Sequence, residues 1–247
     1  MAGHSKWKQI KHYKAATDAK RGALFTRLIR EITMAAKQGG GDPDGNARLR
    51  TAIDAAKASN LPKDNIERGI KKGTGELEGV DYQEVLYEGY GPGGVALMIQ
   101  TVTDNPTRTV ADVRHKLNRG GGNLGAANSV SWMFDRKGQM LLESSSLGED
   151  AAMEAALEAG AEDFAKDEDT YVITTDPMQL HAVRSALDAR GLKTTDAELA
   201  WIPKNTVHVE GEPAQQLLKL LESLEELDDV QKVDANFEMD AAEMAKA

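Results

Sequence analysis

The chain has 247 residues, of which 40% are hydrophobic and 28% are charged, a composition typical of a globular protein and not of a disordered tail. It has no cysteine, which excludes disulfides, thiolate metal sites and a cysteine nucleophile and fits a cytoplasmic protein. No apolar run reaches the roughly 20 residues of a membrane span, so we expect no membrane partner.

The net charge of −10 conceals an uneven distribution along the chain. Residues 1–75 contain 16 Lys or Arg and 7 Asp or Glu, whereas residues 76–247 contain 14 and 33. A basic end joined to an acidic body favours a polyanion as the partner of the basic end. The plain alternative is a lysine-rich helical domain without such a partner.

The first residues form a basic arm in which lysines recur every two or three positions with a tryptophan among them: Lys6, Trp7, Lys8, Lys11 and Lys14. Lysines neutralise phosphates and aromatic rings stack on bases, so this pattern predicts a nucleic-acid contact. In the alternative, the ring of Trp7 folds back onto the helices that follow.

Three helices are predicted after the arm. The first begins at Thr17 or Asp18, runs to about Lys37 and ends at three glycines. Its apolar residues share one face, and its cations lie opposite, on a face that we expect to stay exposed and positive: Lys20, Arg27, Arg30 and Lys37. The second helix is predicted over 45–59 and the third from Pro62 to Gly73, which makes a small bundle.

After a linker over 74–79 the hydrophobic period becomes that of strands, and strands alternate with helices to residue 235. Strands are predicted over 82–90, 95–103, 129–134, 139–143, 163–166, 170–174, 194–202, 206–209 and 230–235. Helices are predicted over 106–119, 148–159, 177–189 and 214–227. Residues 239–247 are expected to fray.

The elements predict an α+β fold of three domains, in which strand–helix–strand units occur in pairs, as in the ferredoxin-like (split βαβ) arrangement. The domains are a basic helical domain at 1–78, a discontinuous α/β domain at 79–135 and 205–240, and an inserted α/β domain at 136–204. We expect both α/β domains to be ferredoxin-like. A continuous chain of α/β units is the alternative.

Two glycine-rich stretches resemble ligand-binding loops. Residues 89–94 match GxGxxG, but a dinucleotide fingerprint opens a helix and the next residues here form a strand, so a hairpin turn is predicted. Residues 120–125 follow a helix that carries Arg108 and Arg114. Their backbone N–H groups predict either an anion-binding nest or a plain connection from helix to strand.

Nothing in the sequence indicates catalysis. The five histidines are scattered without metal-chelating spacing, and no nucleotide-hydrolysing loop of the type GxxxxGK[ST] is present. We expect no enzyme activity, no cofactor and no metal.

Several long strings resemble the YebC/PmpR family, to which the mitochondrial translational activator of cytochrome c oxidase subunit I belongs. They are GHSKW at 3–7, FTR at 25–27, GGGDPDGNARLR at 39–50, YEGYGPGG at 87–94, DNPTRTVADVRH at 104–115, GGNLG at 121–125 and EAALEAGAED at 154–163. Ala23 stands where many members have Lys, which weakens the basic face a little, and Ala47 where many have Pro.

The resemblance implies a cytoplasmic regulator without catalysis, with a helical N-terminal domain and two α/β domains. Members are described as DNA-binding transcriptional regulators, whereas others resemble ribosome-associated factors that help the synthesis of proline-rich stretches. We therefore expect a monomer that binds DNA or ribosomal RNA. A protein adaptor, in which the arm only solubilises, is the competing hypothesis.

The nucleic-acid contacts are predicted at eleven positions, of which Trp7 stacks on bases and the cations neutralise phosphates. They are Lys6, Trp7, Lys8, Lys11, Lys14, Lys20, Arg21, Arg27, Arg30, Arg108 and Arg114.

Overall fold

The computed structural model describes residues 18–167 and 169–244. The described helices are α1 Asp18–Gly39, α2 Ala47–Ala58, α3 Lys63–Thr74, α4 Pro106–Arg119, α5 Glu149–Glu158, α6 Leu180–Ala189, α7 Gly211–Glu225 and α8 Ala241–Met244. The strands are β1 Gln83–Tyr90, β2 Ala96–Thr103, β3 Asn123–Leu124, β4 Phe134–Glu143, β5 Asp163–Asp167, β6 Thr170–Thr175, β7 Asp196–Pro203, β8 Val207–His208, β9 Val230–Ala235 and β10 Phe237–Glu238. The predicted α+β class is confirmed, because a helical region precedes antiparallel sheets that carry helices.

Helices α1, α2 and α3 form a bundle around one apolar core, in which Ile32 and Leu49 are fully buried. Asn46 caps the start of helix α2, where its side-chain oxygen accepts a hydrogen bond from the backbone N–H of Leu49 at 3.1 Å. Helices α1 and α3 approach closely at Gly73, where a Cβ would lie 2.4 Å from the carbonyl oxygen of Thr33. A side chain at this position would therefore push the two helices apart.

Strands β3, β1, β2 and β9 form an antiparallel sheet in that order, and helices α4 and α7 contribute Leu117 and Leu217 to its apolar core. The GxGxxG match at 89–94 is the turn between β1 and β2, as predicted. There the N–H of Gly91 donates to the carbonyl of Val95 at 2.8 Å, and Gly93 has a φ of 75°. Glycine tolerates this left-handed conformation because it has no Cβ.

Residues 134–204 form a compact unit with its own core. Its antiparallel sheet has the order β5-β6-β4-β7, the ferredoxin-like order that the sequence predicted for this segment. The other sheet differs in strand order, because the hairpin β1–β2 occupies its two central positions. Phe134 pairs with Pro203, so the two ends of the inserted unit lie on neighbouring strands.

The described residues 18–133 and 205–244 form the second compact unit. Within it the helical bundle and the β3-β1-β2-β9 sheet have separate apolar cores. The division of this unit into a domain at 1–78 and a domain at 79–135 and 205–240 stays a prediction.

Two local predictions are wrong. The expected strand at 129–134 is a loop followed by a short 3-10 turn over Ser131–Met133, and strand β4 begins at Phe134. Residues 239–244, expected to fray, pack on the core instead, because Met239 and Met244 are buried there. No helix of the described residues is long and apolar enough to cross a membrane.

Candidate nucleic-acid interface

The nucleic-acid contact of all eleven predicted residues stays a prediction, and the side chains of seven of them lie outside the described part. Five lie outside the described residues: Lys6, Trp7, Lys8, Lys11 and Lys14. Lys20 and Arg21 lie in the first turn of α1, and their side chains lie outside the described part. The structure places the other four on two helices: Arg27 and Arg30 on α1, and Arg108 and Arg114 on α4.

Arg30 extends from α1 towards the α/β fold. Its Nη1 donates to Oδ1 of Asp229 at 2.9 Å and contacts the main-chain oxygens of Val102 and Asp228. Its guanidinium carbon lies 5.4 Å from the centre of the Tyr82 ring, within cation–π distance. Only 13% of the side chain is exposed. The expectation of an exposed positive face on α1 is therefore wrong at Arg30, because a carboxylate from far along the chain neutralises it.

Asp229 is the centre of this contact. Its Oδ2 accepts hydrogen bonds from Oγ1 of Thr109 at 2.6 Å, Nη2 of Arg108 at 2.9 Å and Oγ1 of Thr103 at 3.2 Å. Burial opposes ionisation of this carboxyl, but the hydrogen bonds from Arg108 and Thr109 and the charge of Arg30 outweigh it and lower the pKa of Asp229. The ionised carboxylate thereby fixes α1 and α4 to the same point.

The residues around Asp229 line an open cleft of about 520 Å³. Five carboxylates and two guanidiniums line it: Asp104, Asp112, Glu226, Asp228, Asp229, Arg30 and Arg108. Arg108 also donates to Asp104 at 2.8 Å, so the protein's own carboxylates engage both guanidiniums. The cleft is net negative and does not suit a phosphate. Within residues 18–167 and 169–244, no three His, Asp or Glu side chains are arranged to hold a metal ion.

Two further cations of the bundle are neutralised. Lys37 is exposed, as expected of this face of α1, but it pairs with Asp81 in the linker before β1. Arg48 pairs with Glu31 at 2.7 Å and contacts Glu84 on β1. Burial lowers the pKa of Arg48, but the hydrogen bonds to Glu31 and Glu84 outweigh this and raise it above its ordinary value. These pairs hold the bundle against β1.

Other cations of the bundle remain exposed. Arg68, Lys71 and Lys72 lie within the last two turns of α3, and no carboxylate of the described residues pairs with them. Lys57, at the end of α2, is also exposed, and Arg27 is half-buried. We call Arg68, Lys71 and Lys72 the α3 cluster. Its three cations belong to the surplus of positive charge in residues 1–75.

Helix α4 carries a second group of exposed basic side chains. Arg114, His115 and Arg119 are exposed on its C-terminal half, whereas Arg108 belongs to the Asp229 network. Arg114 is thus exposed, and its contact with nucleic acid stays a prediction.

Of the two predictions for the glycine loop at 120–125, the structure agrees with the connection from helix to strand and not with the anion-binding nest. The N–H groups of Gly120 and Gly122 donate to carbonyls in the last turn of α4 at 2.9 and 2.8 Å. Strand β3 then pairs with β1, and the N–H of Gly125 donates to the carbonyl of Glu88 at 2.8 Å. Because these donors are used within the protein, the loop is a connection that also adds an edge strand.

A nest that the sequence analysis missed lies a few residues later, and the carboxylate of Glu88 occupies it. This carboxylate is buried and accepts hydrogen bonds from the backbone N–H groups of Asn128, Val130 and Ser131 at 2.7, 2.7 and 2.8 Å. Burial opposes ionisation, but the three donors outweigh it and lower the pKa of Glu88. The loop over 126–131 is therefore fixed to β1.

Trp132 follows this loop, and 65% of it is exposed. Its Nε1 donates to the carbonyl of Ser129 at 3.1 Å, and the hydroxyl of Tyr90 donates to the same oxygen at 3.2 Å. An exposed indole is thereby held in place by the protein.

Family models match most of the chain: the TACO1/YebC protein N-terminal domain matches residues 5–76, and the TACO1/YebC second and third domain matches residues 82–237. The chain belongs to the YebC family. The resemblance that the sequence strings indicated is therefore confirmed.

Among YebC relatives, a protein of Gemmatimonas aurantiaca is 72% identical over 247 residues and covers 100% of both chains. A protein of Geobacter sulfurreducens is 54% identical over 246 residues, which cover 100% of this chain and 99% of the relative. Both carry the name "Probable transcriptional regulatory protein". The crystal structure of a conserved hypothetical protein from Aquifex aeolicus is 50% identical, with a TM-score of 0.84, and the match covers 90% of this chain and 92% of that one.

Proposed function

We propose that this YebC-family protein is a non-enzymatic, nucleic-acid-binding regulator of gene expression that acts as a DNA-binding transcriptional regulator in the cytoplasm. The observation that carries the proposal is the α3 cluster. Its three cations stay exposed and unpaired with any described carboxylate, in a chain whose acidic residues neutralise other cations of the same bundle. The names of the relatives agree with a regulator of transcription.

The proposed contact combines the α3 cluster with the basic arm. Each neutralised phosphate releases counterions, so such contacts give an affinity that falls steeply with salt. Arg30 and Arg108 take no part, because the carboxylates of Asp229 and Asp104 already pair with them. Arg114 and Arg119 on α4 provide a second contact, and the acidic remainder keeps the polyanion on the basic side.

The salt dependence of binding tests this proposal. We expect a fluorescent DNA duplex to bind with an affinity that falls as salt rises from about 50 to 200 mM, as counterion release requires. In Lys71→Glu/Lys72→Glu, the negative slope of log affinity against log salt should become shallower by about 1.8, since its magnitude falls by about 0.9 per lost duplex phosphate contact.

A matched variant controls for net charge. Lys193→Glu/Lys219→Glu makes the same charge change at two exposed lysines of the acidic part, and we expect it to keep the wild-type slope. Equal slopes in both double variants would reject the α3 cluster as the contact. A wild-type protein that binds neither DNA nor RNA at 50 mM salt would overturn the proposal as a whole.

A ribosome-associated translation factor that binds ribosomal or transfer RNA and helps the synthesis of proline-rich stretches is the second candidate. It is favoured by the distribution of the exposed cations, which lie on α2, α3 and α4 of the described chain and are not gathered on one base-reading helix. A spread of phosphate contacts suits a folded RNA.

Two measurements separate the candidates. Sedimentation of a cell extract on a sucrose gradient should place the protein with ribosomal particles if it acts in translation, and its absence from every ribosomal fraction would reject that role. A gel shift above about 150 mM salt should retain one DNA sequence over others if it acts in transcription, since non-specific binding fades at that salt.

A further inference from the structure

The helical bundle and the sheet β3-β1-β2-β9 lie in one compact unit but have separate apolar cores. Hydrogen bonds of side chains join the two parts. Their donors in the described chain belong to the bundle: Arg30, Lys37, Gln38 and Arg48. The acceptors are the carboxylates of Asp81, Glu84 and Asp229 and the carbonyls of Tyr82, Val102 and Asp228. We call these hydrogen bonds the docking contacts, in which cations of the bundle face carboxylates from the rest of the unit.

The arginine among the docking contacts is incompletely satisfied. Nε of Arg30 is buried and has no hydrogen-bond partner among the described residues, although Nη1 contacts three oxygens. A buried N–H without an acceptor costs free energy, because water would have accepted its hydrogen bond. Oδ2 of Asp229 keeps its hydrogen bonds from Arg108 and Thr109 when Arg30 leaves. Separation therefore hydrates an unpaired donor and leaves the carboxylate with partners.

The other docking contacts are open to solvent. The side chains of Lys37 and Asp81 are 43% and 90% exposed, and Glu84 is also exposed. Exposed ion pairs contribute little to stability and are screened by salt. The chain passes from the bundle to β1 over residues 75–82, which form neither helix nor strand and are exposed from 75 to 81. A competing anion can thus weaken the docking contacts, and the linker permits the bundle to separate.

We propose that the docking contacts form an autoinhibitory latch, in which Asp81, Glu84 and Asp229 occupy cations of the bundle that otherwise bind phosphates. This latch depends on the proposed function and adds regulation to it. Guanidinium and ammonium groups donate to phosphate oxygens as they do to carboxylate oxygens, so a nucleic acid competes directly with the latch. The docked arrangement, in which Arg30 takes no part in binding, is then the form of low affinity.

Opening of the latch changes the charge that the bundle presents. Arg30 and Lys37 lose their carboxylate partners, whereas Arg48 keeps its pair with Glu31. Two cations of α1 are thereby added to the exposed α3 cluster of the same bundle. Because the open form offers more phosphate contacts, it binds nucleic acid more tightly, and a bound nucleic acid shifts the population towards it.

Energy transfer between two dyes measures the opening. The chain has no cysteine, so Ala58→Cys and Asn118→Cys, at exposed positions of α2 and α4, bind the dyes specifically. The latch is removed in one triple variant: Asp81→Asn/Glu84→Gln/Asp229→Asn. A control makes the same change in net charge at exposed carboxylates of the inserted unit: Asp150→Asn/Glu154→Gln/Asp188→Asn.

A second variant protects the test against misfolding. The melting temperature of each protein is measured first. If the triple variant does not fold, Asp81→Asn/Glu84→Gln takes its place, because this double variant leaves the Asp229 network intact.

At about 50 mM salt we expect high energy transfer in the wild type and the control, and lower transfer in the triple variant. Adding an unlabelled duplex of about 20 base pairs, as DNA and as RNA, should lower the transfer in the wild type, because binding favours the open form. The triple variant is already open, so its transfer should change less.

Anisotropy of a fluorescein-labelled duplex gives the affinity of the cysteine-free proteins. The triple variant should bind about fivefold or more tightly than the control, the lower end of typical coupling between sites. Its slope of log affinity against log salt should be steeper by about 1.8, since each of two added phosphate contacts contributes about 0.9. Adding Arg30→Gln/Lys37→Gln should return the slope to the wild-type value. The double variant releases Lys37 alone and should steepen the slope by about 0.9.

Energy transfer that is equal in the triple variant and the wild type would overturn the latch and leave the proposed function standing. Lower transfer together with the affinity and slope of the control would also overturn it, because the released cations would then bind no phosphate. If the wild type binds neither duplex at about 50 mM salt, the proposed function fails and the autoinhibition fails with it.

Discussion

Asp229 joins an arginine of the bundle to an arginine of the α/β fold through a carboxylate that is only 8% exposed. Hydrogen bonds to a charged group contribute about 1.5–3 kcal/mol each when one partner is removed. We expect Asp229→Asn to lower the free energy of unfolding by about that amount at pH 7, measured by urea titration. Asp228→Asn is the control, because Arg30 contacts the main-chain oxygen of Asp228.

The same variant shows the pH dependence of this contact. The pKa of Asp229 is lower in the folded protein than the roughly 3.9 of an unfolded aspartate. The stabilisation is therefore complete above the unfolded value and is lost as the pH falls through the folded value. The stability gap between wild type and Asp229→Asn should shrink as the pH falls from 6 to 3, and a constant gap would contradict this.

At the scale of elements, the packing of α1 on α3 depends on a glycine. In Gly73→Ala, the new Cβ would lie 2.4 Å from the carbonyl oxygen of Thr33 and 2.7 Å from the Cβ of Ala36. We expect this overpacking to cost about 1–3 kcal/mol in urea unfolding. Gly22→Ala on α1 has no neighbour within 4 Å and should instead stabilise by up to about 1 kcal/mol. Equal effects of the two substitutions would show that the close approach does not matter.

The spacing of apolar residues along the sequence predicted most helices and strands of this chain, because this spacing decides which face of an element is buried. Helix α4 has the predicted bounds, 106–119, and β5 differs by one residue. The failures have non-local causes. The strand expected at 129–134 did not form, because Glu88 takes up backbone donors that a strand would have offered to a neighbour. Strand β3 was not predicted, and it forms because the glycine connection brings residues 123–124 beside the edge of β1, with which they pair.

At the scale of the whole molecule, the inserted unit should fold without the rest of the chain. Its core is its own, and Phe134 pairs with Pro203, so cutting at 133/134 and 204/205 leaves no strand unpaired within it. We expect the fragment 134–204 to show a cooperative thermal transition by circular dichroism. A fragment that ends at residue 195 lacks β7 and should not. Absence of a transition in 134–204 would contradict the prediction.

The sequence predicted where the cations of the candidate interface lie, but not which of them form ion pairs with carboxylates of the same chain. Composition located the surplus of cations, but Arg30 meets Asp229, which lies 199 residues away along the chain, and no local pattern links them. The α3 cluster carried no stronger sequence signal than the neutralised Arg48. For Glu88 a signal existed: strand alternation puts it on the face opposite Tyr87, with buried Met98 as its cross-strand neighbour. An acid in that position needs backbone donors.

Glu88, which holds the loop at 126–132 in place, is not part of that loop but lies on strand β1, which is paired on both sides. The sheet therefore determines the orientation of the Trp132 ring, and substitutions at positions 126 and 127 should not change that orientation. Among relatives, the acid at position 88 and the aromatic ring at position 132 should accordingly be gained and lost together.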